Sequence, residues 1–280
     1  DLATKTVKTV VGTGARGFGG DGGPALKAVV DLPVAVAFDS TKRMVISDQA
    51  NQRVRRVDTD GTISTIAGAH ADFVPTGFAK VCPPAADATS PAPACKFCKT
   101  CDSETANDCT VDSATDNEGA TQNGCLSFPV YPQGFEGDDG PAVDSKLSQS
   151  FGQQAPPSGR LEIGPDDTIY VADTFNHRIR MISKDGIIKT FAGSGPATYD
   201  ATYQGGYDGD GGPANAAKLK RPRDVAIGSN GAVFIADTDN SCVRVVTDGI
   251  IETFAGTCGT KKFSGDNGPA KDALLNQPYG

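Results

Sequence analysis

The chain has 280 residues, of which 38% are hydrophobic and 7% aromatic, with 34 glycines, 18 prolines and no tryptophan. This composition predicts a globular fold of short strands and tight turns rather than long helices. The net charge of -8 provides no broad positive field for phosphate groups, so nucleic acid is not an expected partner. No apolar run approaches the roughly 20 residues of a membrane-spanning helix, so no membrane insertion is expected.

Predicted elements recur along the chain as copies of one block. The copies run from Ile46 to Gly68, from Val171 to Gly193 and from Ile235 to Gly256. A second element, G-D-x-G-P-A, occurs in the connections at residues 20–25, 137–142, 209–214 and 265–270. Such a period indicates sheets that stack on one another, because one small unit cannot bury its own apolar face.

Residues 1–68 hold the first block, preceded by a strand predicted at Thr6–Val11. That strand has the composition of the outermost strand of a preceding sheet. The chain begins at Asp1 without a methionine or a signal-like segment, which indicates processing or trimming. Complete copies with partial flanking copies do not close a ring, and open sheet faces would expose large apolar patches. We therefore expect the native polypeptide to be longer.

Residues 69–133 form an insertion much longer than the other connections. Loops of this length usually have a function or are disordered. The cysteines of the insertion are Cys82, Cys95, Cys98, Cys101, Cys109 and Cys125. Three disulfides in a small stapled module are the favoured interpretation, with a connectivity that the sequence does not select. The alternative is a metal or iron–sulfur site on the first three closely spaced cysteines, for which the fourth is misplaced.

Residues 134–280 contain the second and third blocks and the start of another at Leu274–Gly280. In the third block, strands are predicted at Asp224–Ile227, Ala232–Ala236, Val243–Thr247 and Ile250–Ala255. Apolar residues on both faces of these strands are typical of a sheet packed between two neighbours. An Asp-Gly pair before the last strand predicts a two-residue hairpin turn, at Asp60–Gly61, Asp185–Gly186 and Asp248–Gly249.

Two further cysteines belong to the third block. Cys242 and Cys258 are predicted on its last two strands, on either side of the hairpin turn. A bulge that corrects the register brings them close enough for a disulfide, which is the favoured interpretation. Two buried thiols are the alternative.

The blocks resemble the NHL repeat family, whose signature resembles a strand ending in Asp, then Asn-His-Arg-Ile-Arg, then Asp-Gly, a strand and Ala-Gly. The second copy matches best, at Asn176–Arg180, whereas the first copy has Gln52 and the third has Ser241 in place of the histidine. The resemblance covers the chain outside the insertion. It implies an all-β fold, a β-propeller of four-stranded NHL-type blades, with three complete blades and partial flanking blades in a larger ring.

Polar residues recur at fixed positions of the block. An aspartate precedes an asparagine by three residues in each copy, in the pairs Asp48 and Asn51, Asp173 and Asn176, and Asp237 and Asn240. Because the pairs recur in every blade, we interpret them as structural residues that accept turn amide hydrogens, not as a catalytic carboxylate array. The arginines of the block receive the same interpretation: Arg55, Arg180 and Arg244.

The G-D-x-G-P-A loops carry carboxylates that suit calcium, above all Asp208 and Asp210. Repetition at every connection favours a structural role instead, in which loop aspartates hold tight turns through their own backbone: Asp21, Asp139, Asp210 and Asp266. The chain has only His70 and His177, too few for a zinc site built from several histidines. We expect no cofactor, with calcium as the alternative.

The favoured function is a non-catalytic protein-binding or structural scaffold module, because no nucleophile elbow or phosphate-binding loop is present. Its partners are expected to be other proteins of a larger assembly, or further blades of the same polypeptide. The cysteines indicate an extracellular location, the cell surface or another oxidising compartment such as an organelle lumen. The alternative is a propeller enzyme or a calcium-dependent sensor that uses the central funnel. RNA binding, as in some intracellular NHL proteins, is disfavoured by the acidic balance.

Overall fold

The computed structural model describes residues 5–69, 77–81, 126–130, 134–149 and 157–280. Its elements are antiparallel β-strands and single turns of 3-10 helix. Within these ranges, no helix has the length and apolar character needed to cross a membrane.

Three sheets of the same strand order follow one another along the chain, here called blades A, B and C. Blade A consists of β1 (Pro33–Phe38), β2 (Met44–Asp48), β3 (Arg53–Val57) and β4 (Ile63–Ala67). A separate two-stranded ladder within the insertion pairs β5 (Gly77–Val81) with β6 (Leu126–Val130). Blade B consists of β7 (Leu161–Ile163), β8 (Ile169–Asp173), β9 (Arg178–Ile182) and β10 (Ile188–Ala192). Blade C consists of β12 (Asp224–Ile227), β13 (Val233–Asp237), β14 (Cys242–Thr247) and β15 (Ile250–Ala255), with the short β11 (Gly212–Pro213) paired to β15.

The expected all-β fold of repeated four-stranded blades is confirmed. In blade C, β12 and β15 have the predicted bounds, β13 is shifted by one residue toward the C-terminus, and β14 begins one residue earlier than predicted. The strand predicted at Thr6–Val11 is not found, because residues 6–11 form no ladder with any strand in the described part of the chain. In blades A to C, the segment of similar composition is a strand that pairs with the third strand of its own blade.

The predicted two-residue hairpin turn occurs in blade C alone. Asp248 and Gly249 both have positive φ, 51° and 78°, as a type I′ turn requires. In blade A, the connection from β3 to β4 is longer, because the N–H of Asp58 donates to the carbonyl oxygen of Thr62 at 2.9 Å. Blade B has the same longer loop, closed between Ser183 and Ile187. The prediction was therefore wrong for the Asp-Gly pairs of blades A and B.

The apolar core lies between neighbouring blades. Between blades A and B, Val45 and Val54 pack with Val171 and Ile182, all at most 2% exposed. Full burial of an aliphatic side chain of this size contributes about 1.5–3 kcal/mol. These contacts explain why the strands carry apolar residues on both faces.

A second core of the same kind joins blades B and C, where Ile179 packs with Val225 and Ile235. The aromatic pair Tyr170 and Phe191 of blade B covers its edge, with ring centroids 4.9 Å apart at 83°. The first strand of each blade forms the inner side of the stack, because β7 lies next to both β1 and β12.

Candidate interaction surface

One face of the stacked blades carries the turns between second and third strands and the connections between blades. Successive strands are antiparallel, so the turns that join first to second and third to fourth strands lie at the opposite face. The turns of the first face are single 3-10 turns at Gln49–Asn51, Thr174–Asn176 and Thr238–Asn240. We call this side the connection face. The insertion follows β4 of blade A, whose end lies at this face.

Each of these three 3-10 turns is followed by a buried residue in the left-handed backbone region. These residues are Gln52, His177 and Ser241, with φ of 58°, 56° and 56°. A side chain other than glycine rarely adopts this conformation, and it persists only where surrounding contacts hold it. The backbone of these three turns is therefore held in place by neighbouring groups.

The Asp–Asn pairs provide those contacts. In blade A, Oδ1 of Asp48 accepts a hydrogen bond from the backbone N–H of Asp31 at 2.7 Å. Nδ2 of Asn51 donates to Oδ2 of Asp48 at 2.9 Å and to the carbonyl oxygen of Gly17 at 2.7 Å. The pair thus ties the 3-10 turn to the connection that enters the blade. The aspartate thus accepts one hydrogen bond from the side-chain amide of the turn and one from a backbone amide of the connection.

The same clamp is present in the other two blades. Asp173 accepts from the N–H of Ser148, and Asp237 from that of Lys220. Asn176 and Asn240 donate to the partner aspartate and to a connection carbonyl, of Gly134 and Gly206 respectively.

A fully buried arginine lies on the third strand of every blade. In blade B, Nη1 of Arg180 lies 3.2 Å from Oδ2 of Asp173, and its Nη2 lies 2.7 Å from Oδ1 of Asp138. Oγ1 of Thr190 also donates to Asp138, at 2.6 Å. The corresponding groups are Arg55, Asp48, Asp21 and Thr65 in blade A, and Arg244, Asp237, Asp210 and Thr253 in blade C. The arginine therefore joins the blade to the G-D-x-G-P-A loop before it.

An aromatic ring accompanies each of these loops. The guanidinium carbons of Arg178 and Arg180 lie 3.9 Å and 4.8 Å from the ring centroid of Phe135. Phe18 holds this position in blade A and Tyr207 in blade C. Such cation–π contacts add to the charge pairing. We call the segment from the aromatic residue to the loop alanine a leader loop; the leader loops of blades A, B and C are residues 18–25, 135–142 and 207–214.

The structure changes the interpretation of two loop carboxylates. In the second copy, the arginine-binding residue is Asp138 and not Asp139, which is exposed and lies 3.5 Å from the amine of Lys189. Asp21, Asp138 and Asp210 each bind an arginine and a threonine side chain of the following blade, rather than holding the turn through their own backbone. Sequence reasoning missed this role, although the aromatic residue at a constant distance before each G-D pair marks the loops.

The calcium candidates are engaged within blade C. Oδ1 of Asp210 binds Arg244, and Oδ2 accepts hydrogen bonds from Tyr207 and Thr253. Burial acts to raise the pKa of Asp210, but the hydrogen bond from Thr253 and the charge of Arg244 outweigh it, so the pKa is lowered. Asp208 accepts the N–H of Gly209. Across the described part of the chain, no three His, Cys, Asp or Glu residues come together as a metal site.

Burial raises the pKa of the clamp aspartates. It raises the pKa of Asp48 to about 6 and that of Asp237 to about 7, against the hydrogen bonds of the clamp and the charge of the arginine, and raises that of Asp173 as well. Perturbed carboxylates often mark active sites. These carboxylates have no exposed surface, so no substrate reaches them without unfolding of the blade.

His177 is held neutral at the connection face. Its Nδ1 accepts the backbone N–H of Arg221 at 3.1 Å, and its ring meets that of Tyr203 edge-on, with centroids 5.2 Å apart. Burial and then the positive charge of Arg221 lower the pKa of His177 to about 4. The imidazole therefore acts as a hydrogen-bond acceptor in this turn.

Replacing His177 with glutamine, which stands at the same position in blade A as Gln52, is expected to remove a pH dependence of stability. Unfolded histidine has a pKa of about 6.5, whereas the folded pKa is about 4. Between these values the proton binds only the unfolded chain, so the wild type loses up to about 1.4 kcal/mol per pH unit as the pH falls.

Urea unfolding of both proteins at neutral pH and at about pH 5 checks this expectation. The wild type should lose stability relative to the variant at the lower pH. The shared aspartates cancel in this comparison. A difference in unfolding free energy that does not change with pH contradicts a neutral His177.

A groove of about 470 Å³ lies between blades A and B at the face opposite the connection face. Nε of Arg43 lies 2.6 Å from Asp39 within blade A, and the amine of Lys184 lies 3.4 Å from Asp167 within blade B. The two blades are joined across the groove by hydrogen bonds from the backbone N–H and the hydroxyl of Ser40 to Asp167.

The two predictions on cysteines have different outcomes. The disulfide between Cys242 and Cys258 is confirmed, with a Cα–Cα distance of 5.0 Å. The expected bulge lies between Val243 and Arg244, although Cys258 follows the end of β15 rather than lying on it. The cysteines of the insertion lie outside the described residues, as do most of its other positions. The backbone of β6 lies beside the turn Gln49–Asn51.

Comparison with known sequences identifies one repeat. Residues 219–246, which include β12, β13 and most of β14, match the NHL repeat. A curated relative, the chloroplastic protein Suppressor of Quenching 1 of Arabidopsis thaliana, is 25% identical over 261 residues. The match covers 88% of this chain but only 22% of the relative, so the chain spans about a fifth of that protein.

Solved structures with a similar fold include proteins of different activities. An auxiliary nutrient binding protein of Bacteroides ovatus has 17% identity and a TM-score of 0.33, with 91% of this chain and 65% of that one covered. The virginiamycin B lyase of Staphylococcus aureus has 14% identity and a TM-score of 0.25, with 81% and 71% covered.

Proposed function

We propose that this NHL-repeat chain, built from stacked propeller blades, is a non-catalytic protein-binding or scaffold module of an extracellular or lumenal assembly. The proposal rests on one observation, which is the difference between the blades and the insertion. The recurring charged residues of the blades bind one another in buried clamps. The insertion of residues 69–133 is the one connection whose length departs from the repeat, and it begins at the connection face.

The buried clamps favour a structural role for the blades. In each blade, an arginine with no exposed surface bridges two carboxylates. A catalytic carboxylate must reach a substrate, and the clamp aspartates are sealed in the blade. What remains for a partner is the surface of the blades and the insertion, which suits protein binding better than chemistry.

The position of the insertion favours a role in partner recognition. The backbone of β6, one strand of its ladder, lies close to the turn Gln49–Asn51 of blade A. Recognition segments are commonly loops held on a rigid scaffold. A rigid support reduces the conformational entropy that such a segment loses on binding.

An oxidising compartment is supported by the disulfide between Cys242 and Cys258. The curated relative is named as chloroplastic. An organelle lumen therefore belongs with the extracellular space among the locations that we propose.

Deletion of residues 72–130 tests the proposed function. We expect the deletion to abolish capture of partner proteins and to leave the blades folded, because the blade cores and clamps lie outside the deleted segment. Crosslinking in native extract, followed by affinity isolation and quantitative mass spectrometry, compares the deletion with the whole chain. Lys189→Ala, which alters an exposed ion pair of blade B, serves as the matched control.

The integrity of the blades is measured in the same samples by thermal unfolding and by the mass of the peptide pair that contains Cys242 and Cys258. Partners enriched by the whole chain and the Lys189 variant but lost with the deletion support the proposal. Equal enrichment by all three proteins, with folded blades, overturns it.

A further inference from the structure

We propose that the groove between blades A and B is a binding site for a small, uncharged molecule with an aromatic ring. The groove lies at the face opposite the connection face and has a volume of about 470 Å³. Ligand sites of proteins have volumes of about 300–1,000 Å³. This inference goes beyond the proposed function, because it concerns a junction between two blades and not the insertion.

Aromatic pairs occupy the corresponding position of the other two blades. In blade B, Tyr170 of β8 and Phe191 of β10 meet edge-on, with ring centroids 4.9 Å apart, and pack against the core shared with blade C. Blade C carries Phe234 and Phe254 on the corresponding strands, in the same edge-on arrangement. Such ring pairs bury a large apolar area and hold a defined geometry. The junction between blades B and C is thus filled by rings.

Blade A has aliphatic side chains at both positions. Val45 is the second residue of β2, as Tyr170 is of β8, and Ile66 is the fourth residue of β4, as Phe191 is of β10. Both aliphatic residues line the groove. A valine and an isoleucine fill less volume than a tyrosine and a phenylalanine. Space is therefore left between blades A and B where rings lie at the next junction.

The opposite wall of the groove does not fill this space. Ile169 and Ile182 of blade B line that wall, and their counterparts in blade C are Val233 and Val246. Each isoleucine is larger than the corresponding valine by a single methylene group. The wall therefore replaces only a small part of the volume of two rings.

The two blades are tied together on different sides of the groove. The backbone N–H and the hydroxyl of Ser40 donate to the two carboxylate oxygens of Asp167, both at 2.7 Å. Just after β4, the N–H of Ala69 donates to the carbonyl oxygen of Val143 at 2.7 Å. Unfilled volume persists where the surrounding structure cannot close on it. These ties fix the distance between the blades, so the groove stays open to a ligand.

The charges of the groove favour an uncharged ligand. Among the described residues that line it, each cationic side chain lies within 3.4 Å of a carboxylate: Arg43 by Asp39, Arg56 by Asp58, and Lys184 by Asp167. An ionised ligand would have to displace one partner of such a pair. The carboxylate of Asp185 lies at an exposed turn of the rim and further disfavours an anion.

Arg56 favours a ring over an aliphatic ligand. It lies directly across from Val45 on the neighbouring strand, where blade B has Met181. Nε and Nη2 of Arg56 donate to the carboxylate of Asp58, which uses one edge of the guanidinium. The planar face of a guanidinium stacks on aromatic rings. A ring seated over Val45 would therefore lie beside a guanidinium group.

The test uses indole as the probe and the whole 280-residue chain with isotope-labelled isoleucine methyl groups. The ring current of bound indole should shift the methyl resonances of Ile66, Ile169 and Ile182, which line the groove. Ile235 and Ile251, in the core between blades B and C, should not shift. The titration gives the dissociation constant, which we expect to be on the order of 1 mM or tighter for a molecule of this size.

Filling the groove should remove the site. Val45→Phe combined with Ile66→Phe gives blade A the ring pair of blade C, and we expect indole to bind at least about tenfold more weakly. Val36→Phe is the matched control and should bind indole as the wild type does. Val36 is 55% exposed on β1 and alternates with Ala35 and Ala37, which pack toward blade B. Thermal unfolding checks that each variant is folded, and Ile66→Phe alone replaces the double variant if that one does not fold.

Cyclohexanol, which has a ring of similar width without aromatic character, is titrated in parallel and should bind more weakly than indole. The proposal is overturned if the methyl groups of Ile66, Ile169 and Ile182 show no saturable shift up to the solubility limit of indole. Unchanged indole binding to a folded phenylalanine variant also overturns it, as does cyclohexanol that binds as tightly as indole.

Discussion

Replacing Arg180 with leucine is expected to lower the free energy of unfolding by about 3–5 kcal/mol, since removal of one partner of a buried ion pair leaves an uncompensated charge. Arg180 has no exposed surface and lies between the carboxylates of Asp173 and Asp138. Leucine fills part of the volume, but it donates no hydrogen bond. Asp173 would then keep only the hydrogen bonds from Asn176 and the N–H of Ser148.

The measurement is chemical unfolding at neutral pH, followed by fluorescence or circular dichroism. Lys189→Ala is the control in the same blade, because its ion pair with Asp139 is exposed and such pairs contribute about 0–1 kcal/mol. The double variant Arg180→Leu with Asp173→Asn should recover part of the loss, since the unpaired carboxylate is then gone. A leucine variant as stable as the control contradicts the clamp.

Serine at both Cys242 and Cys258 is expected to lower the free energy of unfolding by about 3 kcal/mol. The disulfide closes a loop with a sequence separation of 16, and a crosslink across a loop of this length restricts the unfolded chain by about that amount. The bond joins the start of β14 to the segment after β15, so its loss should also loosen that end of blade C.

Thermal and urea unfolding of the double-serine protein and the wild type give the difference. Reductant is then added to the double-serine protein. Any further loss belongs to other cysteines of the chain, so the two contributions separate. Equal unfolding midpoints for the double-serine protein and the wild type show that this disulfide does not stabilise the blade.

The arginine and cysteine substitutions remove different kinds of contact in the blades. The arginine clamp holds each blade to its leader loop, and apolar contacts hold each blade to its neighbour. Blade B has apolar contacts on both sides, since its two cores join it to blades A and C.

Local sequence determined the elements of this fold. The period of the repeat, the β-branched runs and the Asp-Gly pair at residues 248–249 act within one blade, so the strands of blade C and its hairpin turn could be read from neighbouring residues. The disulfide followed from the same register, because Cys242 and Cys258 flank one hairpin. The two-residue turns predicted for blades A and B were wrong. In each, a longer loop joins the same two strands, with a positive φ at the glycine alone, Gly61 or Gly186.

Only the tertiary structure decided which groups the recurring polar residues of the repeat contact. Asp21 and Arg55 are 34 residues apart and meet because the leader loop folds back on the outer strands of its blade. The motif G-D-x-G-P-A aligns Asp138 with Asp21, but only the structure shows that Asp138 is bound by Arg180 whereas Asp139 faces solvent. The physical reason is that strand propensity and turn geometry act over a few residues, whereas a buried charge is assigned its partner by the packing of segments far apart in the chain.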